Sequence, residues 1–218
     1  MKIEVLCSDP SHPVVSYLDD WRKNQISEKH EVGIVHDRKN LSGGDILFLV
    51  SCAQLVRDIE RRKYRATLVL HASDLPQGRG WSPHIWSIVN GASEITVCLL
   101  DAADPVDSGA IWLRTKFRLH GHELLPEINE LLFQAEINLM SEVVEKFDQI
   151  KPQSQTEGQS SYLRKRTPID SCLDPNKTIA EQFDLLRVVD SDRYPAFIDY
   201  RDNRYILKIE KIADEDKE

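Results

Sequence analysis

The stretch from Leu68 to Trp112 reads LVLHASDLPQGRGWSPHIWSIVNGASEITVCLLDAADPVDSGAIW and guides the interpretation of the whole chain. An apolar run ends at His71, and an Arg-Gly turn at 79–80 leads into a helix-like segment that closes at Asn90-Gly91. A second apolar run leads to Asp107, which is followed by Ser-Gly. Histidine is suited to proton transfer near neutral pH, and a carboxylate beside it can orient the ring. The unit therefore predicts a strand, a helix and a strand, with His71 at one end and Asp107 at the other. Taken alone, His71 could be a structural histidine and Asp107 an Asx-turn residue.

The segments on either side continue the alternation of strands and helices. We predict further strands over 2–7, 30–35, 45–50, 67–70, 94–100 and 110–117. One helix is predicted to be capped by Ser8-Asp9-Pro10 and to run to about Asn24, and an amphipathic helix to run from about Glu123 to Ile150. Such alternation is typical of an α/β fold with a doubly wound, mostly parallel sheet. No Gly-x-Gly-x-x-Gly or Walker loop follows the first strand, so the sequence gives no sign of NAD or ATP binding.

The second half of the chain divides at a polar stretch, KPQSQTEGQSS. We predict a catalytic domain over 1–151, a linker or mobile loop over 152–161 and a small α+β C-terminal unit over 162–218. In that unit, Thr178 and Glu181 fit a capping box. A hairpin is predicted around Asp202-Asn203, and the acidic residues within Asp214–Glu218 are predicted to form a frayed tail.

Composition limits the classes of partner. The chain has 218 residues, 41% of them hydrophobic, and a net charge of −8, which argues against a nucleic-acid surface and favours a small-molecule substrate. The four cysteines form no Cys-x-x-Cys pair, and no metal site is predicted, since His120 and His122 have no identifiable third ligand. Without a signal peptide or a long apolar segment, we expect a cytoplasmic protein without membrane association. A homodimer through the long helix stays open as the alternative to packing on the sheet.

The motifs of the central stretch occur in an order that resembles the catalytic segment of the folate-dependent formyltransferases. In that family a strand ends in His-x-Ser-x-Leu-Pro, passes an Arg-Gly turn and a helix that closes at Asn-Gly, and returns to Asp-[Ser/Thr]-Gly. The corresponding residues here are His71-Ala-Ser73-Asp-Leu75-Pro76, Arg79-Gly80, Asn90-Gly91 and Asp107-Ser108-Gly109. The C-terminal unit resembles, more loosely, the enzymes that act on nucleotide-linked amino sugars and the related lipid-A-modifying enzymes. It carries Arg166-Thr167-Pro168-Ile-Asp170, Arg187 and Tyr194-Pro195-Ala-Phe197.

This resemblance implies an N-formyltransferase. The formyl donor would be 10-formyltetrahydrofolate, and the acceptor would be the primary amine of a nucleotide-linked deoxyamino sugar, with a link to lipopolysaccharide biosynthesis. His71 would transfer protons or stabilise the oxyanion, with Ser73 beside it, and Asp107 would orient His71 and an ordered water. The implied folate contacts are Ser51, Cys52, Leu55, Val56, Val106 and Asp107. The implied substrate contacts are Arg79, Trp81 and His84, although capping by Arg79 and helix packing of Trp81 stay open.

One position departs from the family pattern. Most members carry Asn-x-His, and the residue two positions before His71 is Val69. Loss of one oxyanion donor typically lowers the rate on the order of 10²- to 10³-fold, so Ser73 or a backbone N–H is expected to replace the amide in an active enzyme. The N-terminal unit is also short for the family. The alternatives are a catalytically impaired formyltransferase-like binding or regulatory protein, and formyl transfer to another small amine or to methionyl-tRNA.

Overall fold

The structure is a computed structural model that describes residues 1–156 and 158–212. Its strands are, in chain order, β1 (Lys2–Leu6), β2 (Glu31–Val35), β3 (Gly44–Leu49), β4 (Tyr64–His71), β5 (Arg79–Gly80), β6 (Glu94–Asp101), β7 (Ile111–Arg118), β8 (Tyr162–Leu163), β9 (Ala196–Tyr200) and β10 (Asn203–Leu207). Its α-helices are α1 (Val14–Ser27), α2 (Asp58–Arg61), α3 (Pro83–Val89), α4 (Leu125–Lys146) and α5 (Phe183–Leu186). The predicted frayed tail lies outside the described residues.

Six strands form a central sheet in the order β2-β1-β3-β4-β6-β7. The four strands from β2 to β4 are parallel to one another, whereas β6 runs antiparallel to β4 and β7 antiparallel to β6. The sheet is therefore mixed and mostly parallel, which confirms the predicted α/β class. Strand β3 is continuously buried after Asp45, because helices and loops cover both of its faces.

The two faces of the sheet are covered differently. Helices α1 and α4 pack on one face, where the Trp21 ring meets the Phe48 ring edge-on with centroids 5.8 Å apart. The opposite face carries a smaller apolar cluster that includes Leu41, Val56 and Tyr64 from loops and strand ends. Burial of these side chains is the main stabilising term for such a fold. The helices and loops that cover the two faces leave the carboxyl ends of β1, β3 and β4 open at one edge of the sheet. Ligands of open α/β sheets bind at this edge.

Two predicted helix boundaries were wrong. Helix α1 begins at Val14, because Asp9 accepts a hydrogen bond from the backbone N–H of Ser11 and so holds residues 8–13 in a loop. Helix α4 begins at Leu125 because the Glu123 carboxylate instead closes the preceding turn, where it accepts from the backbone N–H groups of His120 and Gly121.

The C-terminal part packs against the core through a few specific contacts. Strand β8 pairs with β5, and the buried Arg187 guanidinium lies 3.7 Å from the Glu123 carboxylate. Thr178 and Glu181 form the predicted capping-box contacts, but the helix they precede is only a short 3-10 turn followed by α5. The hairpin turn falls at Arg201-Asp202, one residue earlier than predicted, because both residues adopt positive φ. The domain boundaries stay a prediction.

Candidate functional site

His71 is the last residue of β4, so its side chain lies at the carboxyl edge of the sheet. The ring is buried, with 6% of its surface exposed, and its Nε2 lies 2.9 Å from the carbonyl oxygen of Gly78. Because a carbonyl oxygen can only accept, this hydrogen bond assigns a proton to Nε2. Nδ1 then faces the other side of the ring, where a second residue approaches it.

That residue is Asp107. Its Oδ2 lies 3.6 Å from His71 Nδ1, and the same oxygen accepts a hydrogen bond of 2.9 Å from the backbone N–H of Gly80. Both side chains of the pair are buried. The chain reaches this position through a φ of 59° at Asp107, a left-handed conformation that aspartate and asparagine tolerate better than most residues. The structure thus brings together the two residues that the sequence analysis placed at either end of one unit.

The turn that holds this pair requires glycine at position 80. Gly80 has a φ of +100°, and a Cβ there would lie 2.4 Å from the carbonyl oxygen of Leu163. Strand β8 approaches this closely because Gly80 pairs in register with Leu163. The Arg-Gly turn noted in the sequence therefore has a structural reason, which is to bring the backbone N–H of residue 80 to the Asp107 carboxylate.

A cavity with a volume of about 520 Å³ opens beside His71 and Asp107. One wall comes from the loops after β3 and β6, and another comes from the turn before α3 and the start of that helix. Nine of the predicted site residues line it, namely His71, Asp107, Ser51, Cys52, Leu55, Val56, Val106, Trp81 and His84. Leu55, Val106 and Trp81 are exposed apolar side chains at this cavity, which suits a flat, partly apolar ligand.

Two predicted site residues do not line this cavity. The Ser73 side chain is buried against the Gly78 turn, and its Oγ has no hydrogen-bond partner within the described chain. The Arg79 guanidinium donates to Gln155 Oε1 at 2.7 Å and lines a second, shallower depression instead. The positions of Ser73 and Arg79 follow from the path of the backbone after β4, where the chain turns back past His71. Neighbouring residues of β5 face opposite sides of the strand. Gly80 therefore faces Asp107, and the Arg79 side chain points away from the cavity.

Val69 lies in the cavity wall. It is two residues before His71 in β4, so the two side chains share one face of the strand. An amide at this position would therefore face the same space as His71. With Ser73 outside the lining, the expected replacement of the missing amide by the Ser73 hydroxyl has no support in the geometry.

Sequence reasoning missed three residues in or near this cavity. Glu136 of α4 and His12 of the loop before α1 both line it, and Gln155 holds the Asp107 loop by donating to the carbonyl oxygens of Asp107 and Gly109 at 2.7 and 3.0 Å. The signal for Glu136 was present: it is a glutamate on the apolar face of an amphipathic helix, four residues after Leu132. Gln155 was missed because the polar composition of residues 152–161 led us to predict a linker there.

Burial controls the titration of the groups at this wall. With Glu136 buried and no hydrogen bond to the carboxylate within the described residues, burial raises its pKa to about 8. Burial, and then the nearby His71 and His12, lowers the pKa of His84 to about 4. Burial and then Arg193 lower the pKa of His12. Near neutral pH the wall therefore holds neutral imidazoles beside a carboxyl group that favours its protonated form.

Outside the cavity, one group of side chains could hold a metal ion. The potential ligand atoms of His120, His122 and Glu123 all lie within 4.8 Å of one another, so the structure supplies the third ligand that was not identified in the sequence. The Glu123 carboxylate lies near Arg187 and already accepts hydrogen bonds from the backbone N–H groups of His120 and Gly121. Burial raises the pKa of Glu123, but hydrogen bonds from His120 and from the backbone outweigh burial and lower this pKa to about 2. The expectation that the chain holds no metal stays a prediction. In residues 1–156 and 158–212, no helix combines the length and apolarity needed to cross a membrane.

Comparisons with known proteins agree with this geometry. No protein-family model matches the chain. The methionyl-tRNA formyltransferase of Prochlorococcus marinus is 36% identical over 87 residues, which cover 40% of this chain and 26% of that protein. The bifunctional polymyxin resistance protein ArnA of Wigglesworthia glossinidia brevipalpis is 24% identical over 222 residues, covering 92% of this chain and 34% of that protein. The chain thus spans well under two thirds of the length of these curated relatives.

Solved structures show the same fold over nearly the whole chain. Methionyl-tRNA formyltransferase from Clostridium thermocellum has a TM-score of 0.80 at 22% identity, covering 94% of this chain and 90% of that one. A 4-N formyltransferase from Francisella tularensis has a TM-score of 0.72 at 18% identity, covering 97% and 98%. HypX from Aquifex aeolicus in complex with tetrahydrofolic acid has a TM-score of 0.78 at 20% identity, covering 95% and 37%. The chain therefore has the fold of these formyltransferases, and 87 of its residues are similar in sequence to a methionyl-tRNA formyltransferase.

Proposed function

We propose that this chain is an N-formyltransferase that moves a formyl group from 10-formyltetrahydrofolate to the primary amine of a nucleotide-linked deoxyamino sugar. The observation that carries the proposal is the buried His71–Asp107 pair, 3.6 Å apart, at the wall of a cavity of about 520 Å³. Among the family's solved structures, HypX has been seen with tetrahydrofolic acid, and the Francisella tularensis protein is a 4-N formyltransferase. Both observations favour a folate donor and a small amine acceptor.

Formyl transfer requires proton movement at the attacking amine. The amine nitrogen forms a bond to the formyl carbon, the bond from that carbon to the folate nitrogen breaks, and the proton lost by the amine ends on the departing folate nitrogen. His71 is the residue we assign to this transfer, because its Nδ1 side faces Asp107 and the cavity. Asp107 would stabilise the imidazolium formed when His71 holds the proton.

The folate is assigned to the wall formed by the loops after β3 and β6. Ser51, Cys52, Leu55 and Val56 come from the first loop, and Val106 from the second. Leu55 and Val106 expose 57% and 50% of their surfaces, so a pterin ring placed between them would cover apolar area that now contacts water. The acceptor is assigned to the wall formed by the turn before α3 and the start of that helix, where Trp81 is exposed and His84 is the second residue of α3.

A panel of acceptors tests this proposal. The full chain is incubated with 10-formyltetrahydrofolate and, in parallel, with nucleotide-linked deoxyamino sugars, glycinamide ribonucleotide or methionyl-tRNA, and tetrahydrofolate release is followed. We expect turnover with an amino sugar and a loss of at least about 10²-fold in His71→Ala. Turnover with methionyl-tRNA alone would overturn the assignment of the acceptor.

A catalytically impaired binding protein is the second candidate, and Val69 favours it. If the asparagine amide is indispensable, the chain binds a folate analogue in calorimetry but releases tetrahydrofolate no faster than buffer with every acceptor. Binding without turnover would establish this candidate.

A further inference from the structure

The cavity contains a buried carboxyl group that the proposed reaction has not used. Glu136 lies on α4 with only 6% of its surface exposed, and it lines the same cavity as His71. Its Oε2 is enclosed and has no hydrogen-bond partner within the described chain. A buried polar atom without a partner destabilises a fold by about 1–3 kcal/mol. Such an atom at the wall of a ligand cavity indicates that the missing partner belongs to the ligand.

The surroundings of Glu136 narrow the chemistry of that ligand. His84 and His12 also line the cavity, and the Nδ1 of His84 is enclosed without a partner within the described residues. The Nδ1 of His12 accepts from the backbone N–H of Val14, and its ring packs edge-on against Phe133. Because burial keeps both imidazoles neutral near pH 7, neither supplies a counter-charge to Glu136. The site is thus short of a hydrogen-bond donor that can carry positive charge.

We propose that Glu136 binds the amino group of the formyl acceptor, in a subsite that His84 and His12 also line. This inference rests on the proposed formyl transfer, because it identifies the residue that selects an amine. An ammonium group satisfies a carboxylate by charge and by hydrogen bonding at once, which a hydroxyl group at the same position cannot do. Glu136 is therefore a specificity residue.

The same contact accounts for the first proton of the reaction. An amine arrives largely as ammonium and cannot attack until it loses one proton. In the free protein Glu136 favours its protonated form, because burial raises its pKa to about 8. The charge of a bound ammonium lowers that pKa and displaces the proton to solvent, so the carboxylate can accept one proton from the amine and end again as a neutral acid. The second proton, lost after the amine has bonded to the formyl carbon, goes to His71. The two groups thus take one proton each, in sequence.

Glu136→Gln tests the inference, with Glu130→Gln as the matched control, since Glu130 is exposed on the same helix. The first measurement is calorimetry without a formyl donor, with a nucleoside-diphosphate-linked amino sugar and its hydroxyl analogue as probes. Wild-type protein and Glu130→Gln should bind the amine at least about tenfold more tightly than the hydroxyl analogue. Glu136→Gln should bind both equally. The melting temperature of each variant reports on folding, and Glu136→Met is the second variant should Glu136→Gln not fold.

The second measurement is steady-state turnover of the acceptor that the panel identifies. Glu136→Gln should raise the KM for the amine at least about tenfold and leave the KM for 10-formyltetrahydrofolate within about twofold. A wild-type preference for the amine that persists in a folded Glu136→Gln protein would overturn the inference, as would wild-type protein that binds both probes equally. Loss of the preference in a chain that forms no formyl product would keep the amine subsite and reject the proposed reaction.

Discussion

Replacing Asp107 by asparagine separates the charge of this residue from its shape. The carboxylate does two things: it accepts from the Gly80 N–H at 2.9 Å, and it places a negative charge 3.6 Å from His71 Nδ1. An asparagine oxygen can keep the first contact but carries no negative charge to place beside Nδ1. The φ of 59° also suits asparagine at least as well as aspartate. The fold should therefore be preserved, with a change in the free energy of unfolding of less than about 1 kcal/mol.

The charge is what the substitution removes. At 3.6 Å and an effective dielectric constant of about 20, a carboxylate and an imidazolium attract each other by about 5 kcal/mol before desolvation is counted. Desolvation of two buried groups offsets part of this attraction, which leaves about 3 kcal/mol of stabilisation for the imidazolium formed during proton transfer. We therefore expect Asp107→Asn to lower kcat on the order of 10²-fold.

The assay is tetrahydrofolate release at saturating donor and acceptor, with thermal unfolding in parallel. Asp104→Asn is the matched control, since Asp104 lies in the same loop with 69% of its side chain exposed and pairs with Arg61. It should keep the wild-type kcat. A folded Asp107→Asn enzyme that works within about threefold of wild type would refute the role assigned to the charge.

Three further outcomes are expected. Gly80→Ala should lower the free energy of unfolding by at least about 3 kcal/mol in denaturant titration, since its Cβ would lie 2.4 Å from Leu163 O, whereas Gly91→Ala, which also has positive φ but meets nothing within 4 Å, should cost only about 1 kcal/mol. Val69→Asn should raise kcat by adding up to about 3 kcal/mol of transition-state stabilisation, while Ser73→Ala should leave kcat unchanged. A Val69→Asn variant with unchanged kcat, together with a slower Ser73→Ala variant, would show that Ser73 reaches the reacting atoms. Because the pKa of Glu136 is raised to about 8, the folded state binds a proton that the unfolded state releases, so stability should fall by up to about 1.4 kcal/mol per unit as pH rises from 6.5 towards 8; Glu136→Gln should remove this slope.

Local signals in the sequence were enough to predict the strands of the sheet, and the resemblance to a family added the proximity of His71 and Asp107. The buried run of β3 and the apolar approach to His71 depend on neighbouring residues, and they predicted strands that the structure contains. The proximity of His71 to Asp107 followed from the order of motifs in the family that the chain resembles. The strands can be predicted from patterns among neighbouring residues, and the proximity of His71 and Asp107 can be predicted from the order of the motifs.

The side chains that were misplaced depend on contacts between distant parts of the chain. Arg79 points away from the cavity because β5 pairs with β8, which lies 83 residues later. Ser73 is buried by the same returning turn. Glu136 was hidden in a helix whose apolar spacing is satisfied without it, so only the packed structure shows that it faces a cavity.

The pairing of β5 with β8 has a consequence for how the site is completed during synthesis. The Gly78 and Arg79 N–H groups both donate hydrogen bonds to Ser161, and Gln155 donates to the Asp107 loop. Residues that are synthesised after all six strands of the central sheet therefore hold these turns in place. A nascent chain that stops before Gln155 has every strand of the central sheet together with His71 and Asp107. It still lacks the contacts from Gln155 and Ser161 that hold these turns in the described chain. The site would then be completed only after the segment from Gln155 to Ser161 has been made, whereas the strands of the central sheet come earlier in the chain.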